Sequence, residues 1–134
     1  MPSIFTRIIN GELPCEKVLE TEREFAFLDI NPYSEGHTLV VPKREVGSFE
    51  QLTPEDAQSL IVAVQRVAIA LTKAMGTPHY NLTLNNGTAA GQEVFHVHFH
   101  VVPRWEGKRR LREPYADGRM AEVGHAIREA LAQG

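Results

Sequence analysis

Three histidines alternate with apolar residues in the run His96-Val97-His98-Phe99-His100-Val101-Val102. In extended chain every second side chain points to the same face. His96, His98 and His100 therefore share one face, and Val97, Phe99 and Val101 share the other. An ordinary polar strand face is built from Thr, Lys, Glu or Arg. Imidazole instead serves as base, acid, nucleophile or metal ligand near neutral pH. The alternation demands a strand, packed on one side and chemically active on the other.

The elements around it read as follows. Ile4, Phe5, Ile8 and Ile9 recur at helical spacing and stop at Asn10-Gly11, a short N-terminal helix. Lys17–Glu20 and Glu24–Asp29 form two strands around a turn at Glu22-Arg23. Residues 31–36 form a loop, and His37–Pro42 a β-branched strand ended by proline. Thr53 caps a long helix, with Pro54 in its first turn, Glu55 and Asp56 at its positive end and Gly76 as its stop. Leu60, Ile61, Val64, Val67, Ala68, Leu71 and Met75 are its apolar stripe. Tyr80–Asn85 alternates as a strand, a glycine-bearing loop covers 86–92, residues 104–117 are irregular, and Met120–Leu131 is a closing helix. Strands grouped around one long helix, without regular strand–helix alternation, imply an α+β fold with an antiparallel sheet.

The 134 residues suit a single domain over 1–134. A net charge of −3 gives no basic field for nucleic acid. The one basic cluster, Lys108-Arg109-Arg110-Leu111-Arg112, reads as a solvated loop. Cys15, the single cysteine, excludes an intramolecular disulfide. No signal peptide and no stretch long enough to span a bilayer are seen, so a cytoplasmic protein without membrane partners is expected.

Two chemistries suit the histidine strand. Two imidazoles of a His-x-His strand can ligate zinc with a third ligand from elsewhere. Alternatively one imidazole attacks phosphorus directly. The second reading needs donors for the phosphate oxygens. The preceding loop offers them: Gly87 and Gly91 let backbone N–H groups approach, and Asn85, Thr88 and Gln92 add side-chain donors.

The run from Asn85 to Arg104 resembles the histidine triad (HIT) family of nucleotide hydrolases and transferases, whose signature His-φ-His-φ-His-φ-φ (φ apolar) is met at every position. Phe27–Pro32, Gly36–Lys43 and Ile4–Pro14 are also similar to that family, so the likeness spans about residues 3–104 as a core, with 105–134 as a C-terminal extension carrying a helix. The resemblance implies a five-stranded antiparallel sheet with one long helix and shorter terminal helices, the sheet extended across a homodimer. It implies attack by His98 on the α-phosphorus of a purine nucleoside 5′-conjugate, a nucleotidyl-histidine intermediate, and release of the nucleoside monophosphate by water. His96 and His100 would bind phosphate and manage protons, and His37 would support them. Asp29 would accept the ribose hydroxyls, and Asn85, Gly91 and Gln92 would sit at the phosphate. Phe5, Ile8, Phe27 and Ile30 would flank the base. His79 and His125 fall outside the pattern and are expected on the surface.

The chain departs from its relatives at two places. Many bacterial members carry a zinc-binding Cys-x-x-Cys near the N-terminus; Ser3 and Thr6 stand there here, and Glu45 stands where a further histidine often occurs. No structural zinc and no required cofactor are expected. After the Gly-Gln pair, the Hint branch carries Ser and the fragile-histidine-triad branch Thr; this chain has Glu93, in the leaving-group region. Hydrolysis of adenosine 5′-phosphoramidates is the expected activity. Dinucleoside polyphosphate hydrolysis is the alternative, and a nucleotide- or partner-binding module with vestigial turnover is the alternative of another class.

Overall fold

Along the chain run α1 (Ile4–Ile9), β1 (Lys17–Glu20), β2 (Glu24–Leu28), β3 (Thr38–Pro42), α2 (Pro54–Met75), β4 (His79–Thr83), β5 (Phe99–Arg104) and α3 (Arg119–Ala132). They come from a computed structural model that describes residues 2–108 and 112–134. Arg109, Arg110 and Leu111, most of the basic cluster, lie outside the described residues. The strands form one five-stranded antiparallel sheet, order β1-β2-β3-β5-β4, as the resemblance implied.

Local chemistry accounts for the elements. The Thr21 hydroxyl accepts from the N–H groups of Arg23 and Glu24, closing the β1–β2 turn. The Thr53 hydroxyl accepts from Asp56 N–H at 3.1 Å and starts α2. Gly76, at φ +68°, ends it in the left-handed conformation that costs glycine little.

Both faces of the sheet are covered along β2 and β3. On one face Leu28, Val40, Val97 and Val101 pack against Leu60, Val64, Val67 and Leu71 of α2 and against Val123 and Ile127 of α3. Each such side chain contributes about 1.5–3 kcal/mol by leaving water. The segment after residue 104 thus supplies part of the same core. On the opposite face Phe25, Phe27, Leu39 and Val41 form a second cluster, closed by Phe5 of α1. The histidines lie on this second side.

Three expectations need correcting. The strand β5 begins only at Phe99, because Val97 N–H donates to Val46 O (2.8 Å) and His96 Nε2 to Pro42 O (2.7 Å). These partners lie at the end of β3 and just past it, so His96-Val97-His98 is an extended approach rather than a laddered strand. Its alternation survives: Val97 and Val101 are both buried in the α2 cluster. The strand β4 ends at Thr83, leaving Leu84 and Asn85 beyond it. Ile61 does not join the packed stripe of α2; it is 46% exposed, beside the equally exposed Val62 and Ile69. Among the described residues no helix is long and apolar enough to cross a membrane.

Candidate active site

The three histidines and His37 meet at the start of β5, where β3 lies alongside. Tautomers follow from the partners, since a peptide carbonyl accepts and a peptide N–H donates. His98 Nδ1 lies 2.8 Å from the carbonyl of His96, so Nδ1 carries the hydrogen. Its Nε2 is left with a free lone pair. Burial, the main cause, pulls its pKa below the ordinary 6.5 and keeps the ring neutral.

A relay orders His100. Tyr33 N–H donates to His37 Nδ1 at 3.2 Å, so the His37 hydrogen sits on Nε2. That atom lies 3.0 Å from His100 Nδ1 and donates to it. His100 therefore presents Nε2–H outward. Burial first, and the neighbouring histidine second, push His37 down to about 3 and His100 to about 4. Asp29 Oδ2 lies 3.8 Å from His37 Nε2, but a neutral His37 makes this a dipolar contact and not an ion pair. The His98 and His100 rings meet edge to face at 4.9 Å, and Phe5 lies at 4.9 Å on His98.

His96 differs. It is fully buried, its Nε2–H donates to Pro42 O, and Ser3 Oγ lies 2.7 Å from its Nδ1. With both nitrogens bonded to protein, its ring presents no free nitrogen for the phosphate and proton role expected of it. Gln92 departs in the same way. Its Oε1 accepts from Gly87 N–H (2.7 Å), and its Nε2 donates to Gly47 O and Val94 O. The buried amide shapes the loop from within. Gly91 (φ +95°), with Asn85 packed beside it, and the exposed Glu93 line the outer side of that loop.

Asp29 does two jobs. Oδ1 accepts from Asn31 N–H at 2.9 Å and fixes the turn, while Oδ2 faces His37 and, at 3.6 Å, Arg112. Among the base-pocket candidates, Phe5, Ile8 and Phe27 belong to the second core cluster, whereas Ile30 is 71% exposed. His79 and His125 are exposed, away from the site.

Sequence reasoning missed Tyr33 and Arg112. Tyr33 stacks on His37 (5.6 Å, 18°), and the Arg112 guanidinium lies over the Tyr33 ring, 4.0 Å from its centroid. Tyr33, four residues before His37, was open to notice; no pattern singled out Arg112 within its cluster. Asp29, His37 and His100 offer ligand atoms within 4.8 Å of one another. A metal there would have to replace the proton shared by the two histidines.

The chain matches the HIT domain family over residues 10–107. It is 48% identical to an uncharacterised HIT-like protein of Methanocaldococcus jannaschii, over 78% of this chain and 80% of that one. It is 43% identical to the adenosine 5′-monophosphoramidase of Schizosaccharomyces pombe, over 78% and 75%. The crystal structure of a zinc-bound histidine triad family protein from Mycobacterium smegmatis superposes with a TM-score of 0.87 at 36% identity, covering 97% and 93% of the two chains.

Proposed function

The chain belongs to the HIT family, and on that premise we propose that it hydrolyses purine nucleoside 5′-phosphoramidates through a covalent intermediate on His98. One observation carries the reading: the His96 carbonyl holds the His98 hydrogen on Nδ1 and leaves Nε2 as a free nucleophile in a neutral ring. Nε2 attacks the α-phosphorus, and the P–N bond to the leaving amine breaks. His100 Nε2–H, oriented through His37, is the donor that protonates the departing nitrogen. Water then attacks the nucleotidyl-histidine, His100 takes its proton, and the nucleoside monophosphate leaves. Asp29 accepts from the ribose hydroxyls. In the 87–91 loop the N–H groups of Gly87, Ala90 and Gly91 are taken up within the protein, and those of Thr88 and Ala89 hold the non-bridging oxygens. No step calls for a metal.

The relative named as a monophosphoramidase supports this substrate class over dinucleoside polyphosphates. The test is His98→Asn. Substrate affinity is retained, the covalent adduct is not formed, and turnover falls by several orders of magnitude. A nucleotidyl adduct trapped on another residue refutes the assignment. Turnover that needs added metal after EDTA treatment refutes the metal-free route.

We also propose a homodimer built on β4. Leu82 faces Val101 across the ladder, so it and Tyr80 lie on the α2 side of the sheet, yet they are 45% and 42% exposed. Ile61, Val62 and Ile69 of α2 are exposed as well. A free strand edge flanked by an apolar helix face suits pairing with a second copy. Leu82→Asp together with Ile69→Asp yields a monomer by light scattering; an unchanged mass refutes this surface.

A further inference from the structure

Both ring nitrogens of His96 bond to the protein, and on the Nδ1 side they meet a polar cluster that the proposed reaction leaves unused. Ser3 Oγ lies 2.7 Å from His96 Nδ1 and accepts from Thr6 N–H at 3.1 Å. Glu45 Oε1 accepts from Ser3 N–H and from the Thr6 hydroxyl, each at 2.7 Å. Pro42 O places the His96 hydrogen on Nε2, so the neutral ring offers Nδ1 as an acceptor and the Ser3 hydroxyl donates to it. Each hydroxyl then sends its hydrogen along its shortest contact, the Thr6 hydroxyl oxygen lying farther off at 3.3 Å from Ser3 Oγ and 3.5 Å from His96 Nδ1.

The resemblance marks Ser3, Thr6 and Glu45 as positions of zinc ligands in bacterial members, but the residues present do not fit that metal. Two neutral hydroxyls stand where thiolates are needed, and both are engaged with His96, the helix amides and Glu45. We infer that Ser3, Thr6 and Glu45 form a metal-free, hydrogen-bonded latch that positions His98 through His96.

Two arms carry the effect. With its ring pinned at both nitrogens, His96 holds its own carbonyl in place, and that carbonyl fixes the tautomer of His98. The same latch fastens the start of α1, whose Phe5 lies edge-on to both His96 and His98. The Ser3 hydroxyl and the Glu45 carboxylate are positioning groups; they act on the nucleophile at one remove. Burial lowers the pKa of His96 while the nearby Glu45 opposes the shift, consistent with an uncharged ring at the end of the latch.

The inference rests on His98 as the nucleophile, and its test separates the two ideas. Ser3→Ala and Glu45→Ala are compared with wild type and with Ser3→Thr, which keeps the hydroxyl. The readouts are kcat and KM on an adenosine 5′-phosphoramidate and the ¹⁵N spectra of the imidazoles in the full chain. Both alanine variants lower kcat about 10- to 100-fold, with KM changed by less than about threefold. Their His96 and His98 nitrogens move from fixed tautomers to averaged ones, and Ser3→Thr restores both readouts. Alanine variants that lose stability but keep wild-type kcat and imidazole spectra overturn the latch. So does stoichiometric zinc in the wild-type protein that Ser3→Ala releases. If Ser3→Ala does not fold, Thr6→Val removes the Glu45 bond and the longer contacts to Ser3 Oγ and His96 Nδ1, leaves the Ser3–His96 bond, and carries the same expectation and refutation at about three- to tenfold in kcat. Without turnover on any phosphoramidate the reaction proposal fails, while the imidazole spectra still decide the latch.

Discussion

Replacing His37 by Gln makes the protein less stable at neutral pH and relatively more stable in acid, and the two stability curves cross. His37 is completely buried, accepts from Tyr33 N–H and donates to His100 Nδ1. A glutamine of similar volume keeps a donor for His100 but leaves the Tyr33 N–H without its acceptor. That loss costs about 2 kcal/mol. Titration works the other way. Folding lowers the His37 pKa from 6.5 to about 3, so between those values the unfolded chain binds the extra proton. Stability from this group is complete above pH 6.5 and is lost as pH falls toward 3, at about 1.4 kcal/mol per unit. By pH 5 wild type has lost about 2 kcal/mol on this account, as much as the substitution removed. Below that pH the Gln variant is the more stable protein. Urea unfolding of both proteins from pH 4 to 8 measures the curves. Parallel curves, or a gap that widens in acid, refute a neutral buried His37 and the relay built on it.

Asp29→Asn keeps the turn bond to Asn31 but weakens ribose recognition, raising KM for nucleotide about tenfold with a smaller change in kcat, as steady-state kinetics would show. Gln92→Ala removes three hydrogen bonds from a buried amide, destabilising the fold by about 3 kcal/mol in urea unfolding and loosening the phosphate loop. In Gly124→Ala the new Cβ meets Glu16 Cγ at 2.5 Å, displaces that side chain from Arg128 and loosens α3 by about 1–2 kcal/mol, again read by urea unfolding.

How much was legible varied with the reach of each interaction. α2 could be read to its ends, since its cap, first-turn proline and terminal glycine act within a few residues. The sharing of one face by the histidines also followed, since alternation is a property of extended chain with or without a ladder. Where β5 begins could not be read, because the bonds that hold His96 and Val97 come from Pro42 and Val46, about fifty positions earlier. Gln92 was assigned to the phosphate for its residue type, and its inward turn toward Gly47 and Val94 depends on packing. Ile61 fits the helical period but sits where no element covers it in the described chain.

By itself the sequence determined the residue types of the site, their common face, the α+β class and the family, since these follow from local periodicity and from a motif legible in linear order. The tertiary structure alone decided the division of labour among the histidines. A ring nitrogen's role depends on which partner meets it: a carbonyl leaves His98 Nε2 free, His37 makes His100 a donor, and Pro42 with Ser3 takes up both nitrogens of His96. Three identical side chains, spaced alike along the chain, differ because the fold brings a different neighbour to each.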